Sequence, residues 1–374
     1  MARLDDFYRI DHFIDTFALG HYARVLEAYD RRSGGTVAFK LLRPEHLQDN
    51  GELRWEIRAF ANEADLLMRL TGSPHIVKLV DCGYIEAGGE APAGGEAISF
   101  GQDAQAFGQA MAEHAERGWR PFLALENLPR ANNLFYAMRP DRHTMRLRLP
   151  TEEGLALALQ FAEMLRMAHR QQIVYLDHKL EHLYWEGVHL RVIDFNSSRL
   201  LESVSNGNAS YFRLDIHNMC VGVLYSAFTG LSPQKASLRP QPGSASDVEQ
   251  RYQDVTTLDF GIEPSLSPAL QKLLQRGAAM QIETMDEFIA GLYEVAAVHG
   301  WDFPGRYTNP ASRDARTQMR AGLARLRRGE DSLREARDLF RDAAIAEGIS
   351  PDLEDELKRL ISAINSMLNH RAIP

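Results

Sequence analysis

Ile173-Val-Tyr-Leu-Asp-His-Lys-Leu-Glu-His182, followed shortly by Ile193-Asp-Phe-Asn196, is the stretch on which the reading of this chain turns. A carboxylate beside a hydroxyl nucleophile can accept its proton, and a nearby lysine can neutralise charge on a transferred group. Asp177 and Lys179 have the spacing for those two tasks. A neutral His182 nitrogen could ligate a metal, although a purely structural histidine is an equally direct reading.

Composition limits what such a stretch can mean. The chain has 374 residues, 45% of them hydrophobic, enough for a large core and long enough for two lobes and an appendage. Its 42 Lys and Arg against 51 Asp and Glu give a net charge of −9, which argues against a protein built to bind nucleic acid. The two cysteines, Cys82 and Cys220, lie far apart in apolar surroundings and read as buried free thiols. Met1-Ala-Arg-Leu-Asp-Asp begins without a basic and apolar leader, and no apolar run reaches membrane-spanning length. The expectation is a cytoplasmic protein that does not engage a membrane.

Upstream of the central stretch the pattern is β-rich with one helix. Val25-Leu-Glu-Ala-Tyr-Asp30 and Thr36-Val-Ala-Phe-Lys-Leu-Leu42 are strand candidates joined by the turn signal Arg31-Arg-Ser-Gly-Gly35. Leu53, Ile57, Phe60, Ala64, Leu67 and Leu70 recur at helical spacing, and Ile76 to Tyr84 returns to strand character. Gly88 to Ala97 reads as a mobile insertion, Gln102 to Arg117 as one small helix packing Phe107 and Met111, and Phe122 to Leu128 as a buried strand. Downstream, Thr151 to Gln171 is a helix with Thr151, Glu152 and Glu153 as its capping region. Val221 to Thr229 is apolar on all sides and predicts a buried helix ending at Gly230, while Ser232 to Asp254 reads as a long surface loop. Helices are expected near 267–276 and 285–299. Beyond Pro304 three more are expected, near 309–328, 332–347 and 351–369.

Several motifs fall on this scaffold in a telling order. Phe17-Ala-Leu-Gly-His-Tyr-Ala-Arg-Val25 resembles the glycine-rich loop of protein kinases, with Ala18, Gly20 and Ala23 at the small-residue positions; an ordinary β-turn is the alternative. Val37-Ala-Phe-Lys40 resembles the strand whose lysine holds nucleotide phosphates. Glu63 stands on the next helix, where that family has the glutamate that pairs with the lysine. Leu125-Glu-Asn-Leu128 falls where the lobes connect. The resemblance there implies that Glu126 and Leu128 meet the adenine edge, with Val25 and Ala38 above the ring and Tyr184 below it; a plain core strand is the alternative. Ile173 to His182 is similar to the catalytic loop, with Tyr175, Leu176 and His182 in place of His, Arg and the metal-binding Asn. Asp194 resembles the metal-binding aspartate of the following turn, with Asn196 in place of its glycine and able to take the positive φ such a turn asks for.

The chain is thus identified as resembling a divergent eukaryotic-like Ser/Thr protein kinase. The implied fold is α+β and bilobal: an N-lobe over 6–124 with an insertion at 86–120, a helical C-lobe over 125–304, and a C-terminal helical extension over 305–374. The implied activity is ATP- and Mg²⁺- (or Mn²⁺-) dependent transfer to protein Ser/Thr hydroxyls. A nucleotide-binding pseudokinase serving as scaffold or regulator of a partner protein, and a small-molecule kinase, are the alternatives. The segment between Asn196 and Asp215 is short and has no A-P-E motif, and the arginine expected at Leu176 is missing. Both departures predict no switch by phosphorylation of this segment. Arginines from Arg313 to Arg328 are followed by acidic residues and read as a solvated face. Leu333, Ala336, Phe340 and Ala343, with Leu357, Leu360, Ile364 and Leu368, predict a helical hairpin.

Overall fold

The computed structural model describes residues 2–13, 22–47, 53–86, 95–138, 148–201, 208–232, 245–305, 310–344 and 351–370. Among these, seven strands form one antiparallel sheet: β1 (Ala2–Arg3), β2 (Tyr8–Phe13), β3 (Ala23–Asp30), β4 (Gly35–Leu42), β5 (Leu79–Ile85), β6 (Glu96–Gly101) and β7 (Arg120–Glu126). Their spatial order is β1-β6-β5-β7-β4-β3-β2.

Alternation along the strands assigns each side chain to a face. Leu26, Ala28, Val37, Phe39, Leu41, Phe122 and Ala124 fill one side, where Phe39 stacks on Phe122 at 4.7 Å. Leu42, Leu123 and Leu125 point the other way, into the larger core that contains Ile57, Phe60, Ala64 and Leu67 of helix α1 (Trp55–Arg69). Lys40 lies between Phe39 and Leu41, so its side chain leaves on the α1 side. Glu63 falls within the apolar stripe of α1 and is fully buried. A carboxylate in that position requires a cation, and the strand opposite supplies one.

The region expected to be a mobile insertion contributes structure. Of the expected Gly88–Ala97 insertion, residues 88–94 lie outside the described residues, but Glu96 and Ala97 belong to β6, which sits between β1 and β5. The single helix expected over 102–117 is two, Ala104–Gln109 and Met111–Glu116. Asp103 caps the first by accepting from the Ala106 N–H at 2.9 Å. The Tyr84 hydroxyl donates to the Phe107 carbonyl at 2.7 Å, tying these helices to β5.

Helix α2 (Thr151–Arg170) runs through the helical part and is buried along most of its length. Thr151 is its first helical residue rather than its cap, a position taken by Pro150. Glu153, expected to serve at the helix start, is buried and accepts instead from the Trp185 indole at 2.6 Å. Two short ribbons follow: β8 (Ile173–Val174) pairs with β11 (Arg199–Leu200), and β9 (Leu183–Trp185) pairs with β10 (Leu190–Val192). The stretch that opened the sequence reading lies between and within these ribbons.

Helix α3 (Asn208–Asn218) passes through a π-helical turn, Met219–Leu224, into Tyr225–Thr229, and Gly230 ends it in the left-handed conformation at φ 73°. The buried helix expected from Val221 therefore starts earlier than its apolar run. The expected 232–254 surface loop contains a helical turn, Ala245–Glu249, and the buried Tyr252. Tyr252 seats against Gly222 and donates from its hydroxyl to the His178 carbonyl at 2.8 Å. Helices α4 (Pro268–Ala278) and α5 (Met285–Val298) complete the core. The last region holds two helices where three were expected, α6 (Pro310–Ala344) and α7 (Pro351–His370), which pack on each other. Gly329 does not break α6, because one glycine costs a helix only about 1 kcal/mol. Leu357 and Ile364 are buried in this hairpin, whereas Leu360 faces solvent.

A β-carbon at position 222 would lie 2.7 Å from both the His178 carbonyl and the Tyr252 ring. Gly222→Ala should therefore cost about 1–3 kcal/mol through overpacking, read as a lower urea midpoint at unchanged slope. A variant as stable as the parent would mean that Tyr252 is not seated there.

Candidate functional site

The loop from Tyr175 to His182 is held from beneath by one buried carboxylate. Asp215 on α3 accepts from the backbone N–H groups of Tyr175 and Leu176, both at 2.8 Å, and pairs with His169 Nε2 at 2.9 Å. Burial pushes Asp215 upward, but these donors outweigh it and keep its carboxyl below the usual carboxylate range. The clamp stabilises an awkward backbone, since Leu176 has φ 66°. Asn218 adds a donor to the Leu176 carbonyl at 3.0 Å. The Leu176 side chain packs with Val174, Leu214 and Val248. An apolar residue suits that pocket, and an arginine there would be desolvated.

Asp177, which the clamp orients, has both carboxylate oxygens engaged. Lys179 Nζ lies 2.9 Å from Oδ2, and Arg251 Nη1 donates to Oδ1 at 2.5 Å. Burial raises the Asp177 pKa, with His182 and Arg251 opposing. Arg251 was not anticipated. It sits in the polar 232–254 segment, and nothing local in the sequence marks a residue whose partner is 74 positions away.

The second half of the site joins the sheet to the helical part. Lys40 Nζ donates to Glu63 Oε2 and to Asp194 Oδ1, each at 2.6 Å. Burial works against the Lys40 charge, but Asp194 and Glu63 outweigh it and hold the ammonium well above its ordinary range. Asp194 is pushed up by burial and pulled down further by Lys40 and His182, so it stays ionised. The positive φ expected at Asn196 falls on Asp194 instead, at 64°. Asn196 uses its amide on the Tyr22 hydroxyl. The Phe195 N–H donates to Glu63 Oε1 at 3.3 Å.

His182 stands between the two aspartates. Its Nδ1 lies 3.0 Å from the Asp177 carbonyl and its Nε2 lies 3.2 Å from Asp194 Oδ2. Burial lowers its pKa, but Asp177 and Asp194 raise it further, to about 9. One ligand atom each from Asp177, His182 and Asp194 lies within 4.8 Å of the others, the spacing of a metal-holding group.

The residues expected to surround a nucleotide base divide. Glu126, Leu128 and Tyr184 line one cavity of about 150 Å³, together with Asn127, Pro129 and Asn132. Val25 and Ala38 are not in its lining, which also includes Glu186, His189 and Arg191; register sets them on the sheet opposite Lys40 and Leu125. Ala23 begins β3, and Ala18 and Gly20 lie outside the described residues. Lys40, Glu63, Asp177, Lys179, His182 and Asp194 converge in one charged network. No protein-family model matches the chain, and no curated protein sequence matches it either.

Removing one member of a buried ion pair leaves the other uncompensated, whereas removing both does not. Lys40→Met should lower stability by on the order of 3 kcal/mol, and adding Glu63→Leu should restore most of it in denaturant melts. A single variant as stable as the parent contradicts the network. His182 gives a second check in metal-free buffer. Its pKa of about 9 lies above the ordinary 6.5, so its charged form stabilises the fold fully below pH 6.5. That contribution is lost as pH rises through 9. An imidazole titrating near 6.5 by NMR would remove this account.

Proposed function

We propose that this chain is a protein-kinase-like phosphotransferase, ATP- and divalent-metal-dependent, that acts on hydroxyls of protein Ser/Thr side chains in the cytoplasm. The observation that carries the reading is the single ammonium of Lys40 held between Glu63 of α1 and Asp194 of the turn. An ammonium has three donors, and these two bonds leave one for a phosphate oxygen. The donor set fits the group it would hold. Lys40 would meet the phosphates, and Asp194 Oδ2 with His182 Nε2 would hold Mg²⁺ or Mn²⁺. Glu126, Leu128 and Tyr184 line the cavity that would take the base.

ATP with its ion supplies the phosphoryl group when bound. The protein's part is to position and to move a proton. Asp177, made more basic by burial, accepts the proton of the acceptor hydroxyl at Oδ1 once Arg251 has moved off that oxygen. Lys179 then places its positive charge where negative charge accumulates. Asp215 keeps Asp177 oriented by fixing the two preceding N–H groups.

One observation favours a second reading. With Arg251 and Lys179 on its two oxygens, Asp177 is closed to an acceptor in this conformation, as suits a nucleotide-binding regulator that does not turn over. The two readings separate in one assay. Transfer of labelled γ-phosphate to the chain itself or to a protein acceptor should fall by roughly 10²-fold or more in Asp177→Asn. Lys40→Ala should weaken ATP binding by roughly tenfold under either reading. Tight ATP binding with no transfer to any acceptor leaves the regulator and removes the enzyme. Absence of ATP binding removes both.

A further inference from the structure

Arg251 closes the candidate base with a charge, and that charge sets what can open it. Its Nη1 donates to Asp177 Oδ1 at 2.5 Å, on the oxygen that would take the proton of an acceptor hydroxyl. An acceptor must stand within about 3 Å of that oxygen, so hydroxyl and guanidinium exclude each other there. The neighbouring Tyr252 is buried against Gly222 and donates from its hydroxyl to the His178 carbonyl at 2.8 Å, and the Arg251 N–H donates to the Val248 carbonyl at 3.3 Å. The backbone is thus fixed, and the guanidinium swings only as far as its own stem allows.

A displaced guanidinium needs a second anion. The Arg251 side chain is 13% exposed and that of Asp177 5%, so the pair lies largely out of water. Separating two charges in that setting leaves each uncompensated, whereas water compensates an exposed pair. Asp177 keeps Lys179 at 2.9 Å. Arg251 keeps the Tyr252 hydroxyl, which is uncharged, and Glu249, the acidic residue two positions before it, is held by Arg199. A neutral acceptor brings nothing in place of the lost carboxylate. An acceptor with a carboxylate beside its hydroxyl exchanges one charge-assisted pair for another.

We propose that Arg251 selects the acceptor: a protein segment whose Ser or Thr hydroxyl lies next to an Asp or Glu carboxylate, which draws the guanidinium off Asp177 and holds it. The inference rests on the phosphotransfer reading and narrows its acceptor. In the transfer the acceptor oxygen bonds the γ-phosphorus of ATP, the bond from that phosphorus to the bridging oxygen breaks with its electron pair left on ADP, and the acceptor proton goes to Asp177 Oδ1. Arg251 touches no reacting atom. It determines which acceptors find the base open.

The probes are Ser-centred peptides with Asp, Asn or Arg at each of the two positions on either side in turn, offered to the full chain with ATP and Mg²⁺ or Mn²⁺. The best Asp peptide should exceed its Asn counterpart in kcat/KM roughly tenfold or more. Arg251→Met should raise transfer to the Asn peptide and erase the preference. Arg251→Glu should turn it toward the Arg peptide, a reversal that a merely structural role does not give. Binding is read separately without nucleotide, by fluorescence anisotropy of the same peptides with the central Ser replaced by Ala. The Asp peptide should bind roughly tenfold tighter than the Asn peptide, and Arg251→Met should remove the difference. Thermal melts report whether each variant folds, and the wild-type comparison of Asp and Asn peptides decides the matter if neither does. A wild-type chain that shows the Asp preference in neither measurement, or a folded Arg251→Met that keeps it, overturns the proposal. Charge-selective binding without transfer leaves the acceptor site and removes the enzyme; transfer indifferent to peptide charge does the reverse.

Discussion

The Lys40 ammonium, shared between Glu63 and Asp194, is the interaction on which the arrangement of the site depends. Its three charges come from a strand, a helix and a turn that are far apart in sequence, and each is costly to bury alone. Lys40 and Glu63 leave one net neutral pair in the core between sheet and α1. Asp194 adds a negative charge that is balanced from the other side by His182. The sheet, α1 and the helical part are thus joined by electrostatics at one point rather than by apolar packing alone.

A second constraint lies beneath the first. Asp215 takes up the N–H groups of Tyr175 and of Leu176, the second of which has a left-handed backbone, and so determines where Asp177 points. The π-helical turn after α3 and Gly222 within it let Tyr252 reach the His178 carbonyl, which carries Arg251 to Asp177. The candidate base therefore has a cation at each oxygen. Access to it depends on a segment anchored only a residue away from the blocking group.

Much of this was legible in the sequence where local periodicity sets geometry. Periodicity marked the strand that carries Lys40 and the helix that carries Glu63, whereas the pairing of the two was implied by the resemblance of Val37-Ala-Phe-Lys40 and Phe60-Ala-Asn-Glu63 to the kinase strand and helix. The spacing of Asp177, Lys179 and Asp194 was equally readable, because it belongs to two short stretches. What failed was what tertiary context decides. β6 was hidden because its flank is rich in Gly, Ala and Pro, and only its pairing with β5 makes it a strand. Asn196 has the better intrinsic tolerance of positive φ, yet Lys40 and His182 hold Asp194 in that conformation. Arg251 had no signal at all, since its meaning depends on a contact across the fold.

The proposed phosphotransfer would require phosphate at Lys40 and an ion held by His182 and Asp194. A crystal structure of the full chain with a non-hydrolysable ATP analogue and Mn²⁺ tests it most directly. The expected result is a phosphate oxygen bonded to Lys40 Nζ, an ion ligated by His182 Nε2 and Asp194 Oδ2, and the base against Glu126, Leu128 and Tyr184. A nucleotide bound elsewhere, or an ion that leaves His182 hydrogen-bonded to Asp194 as it is here, would contradict it.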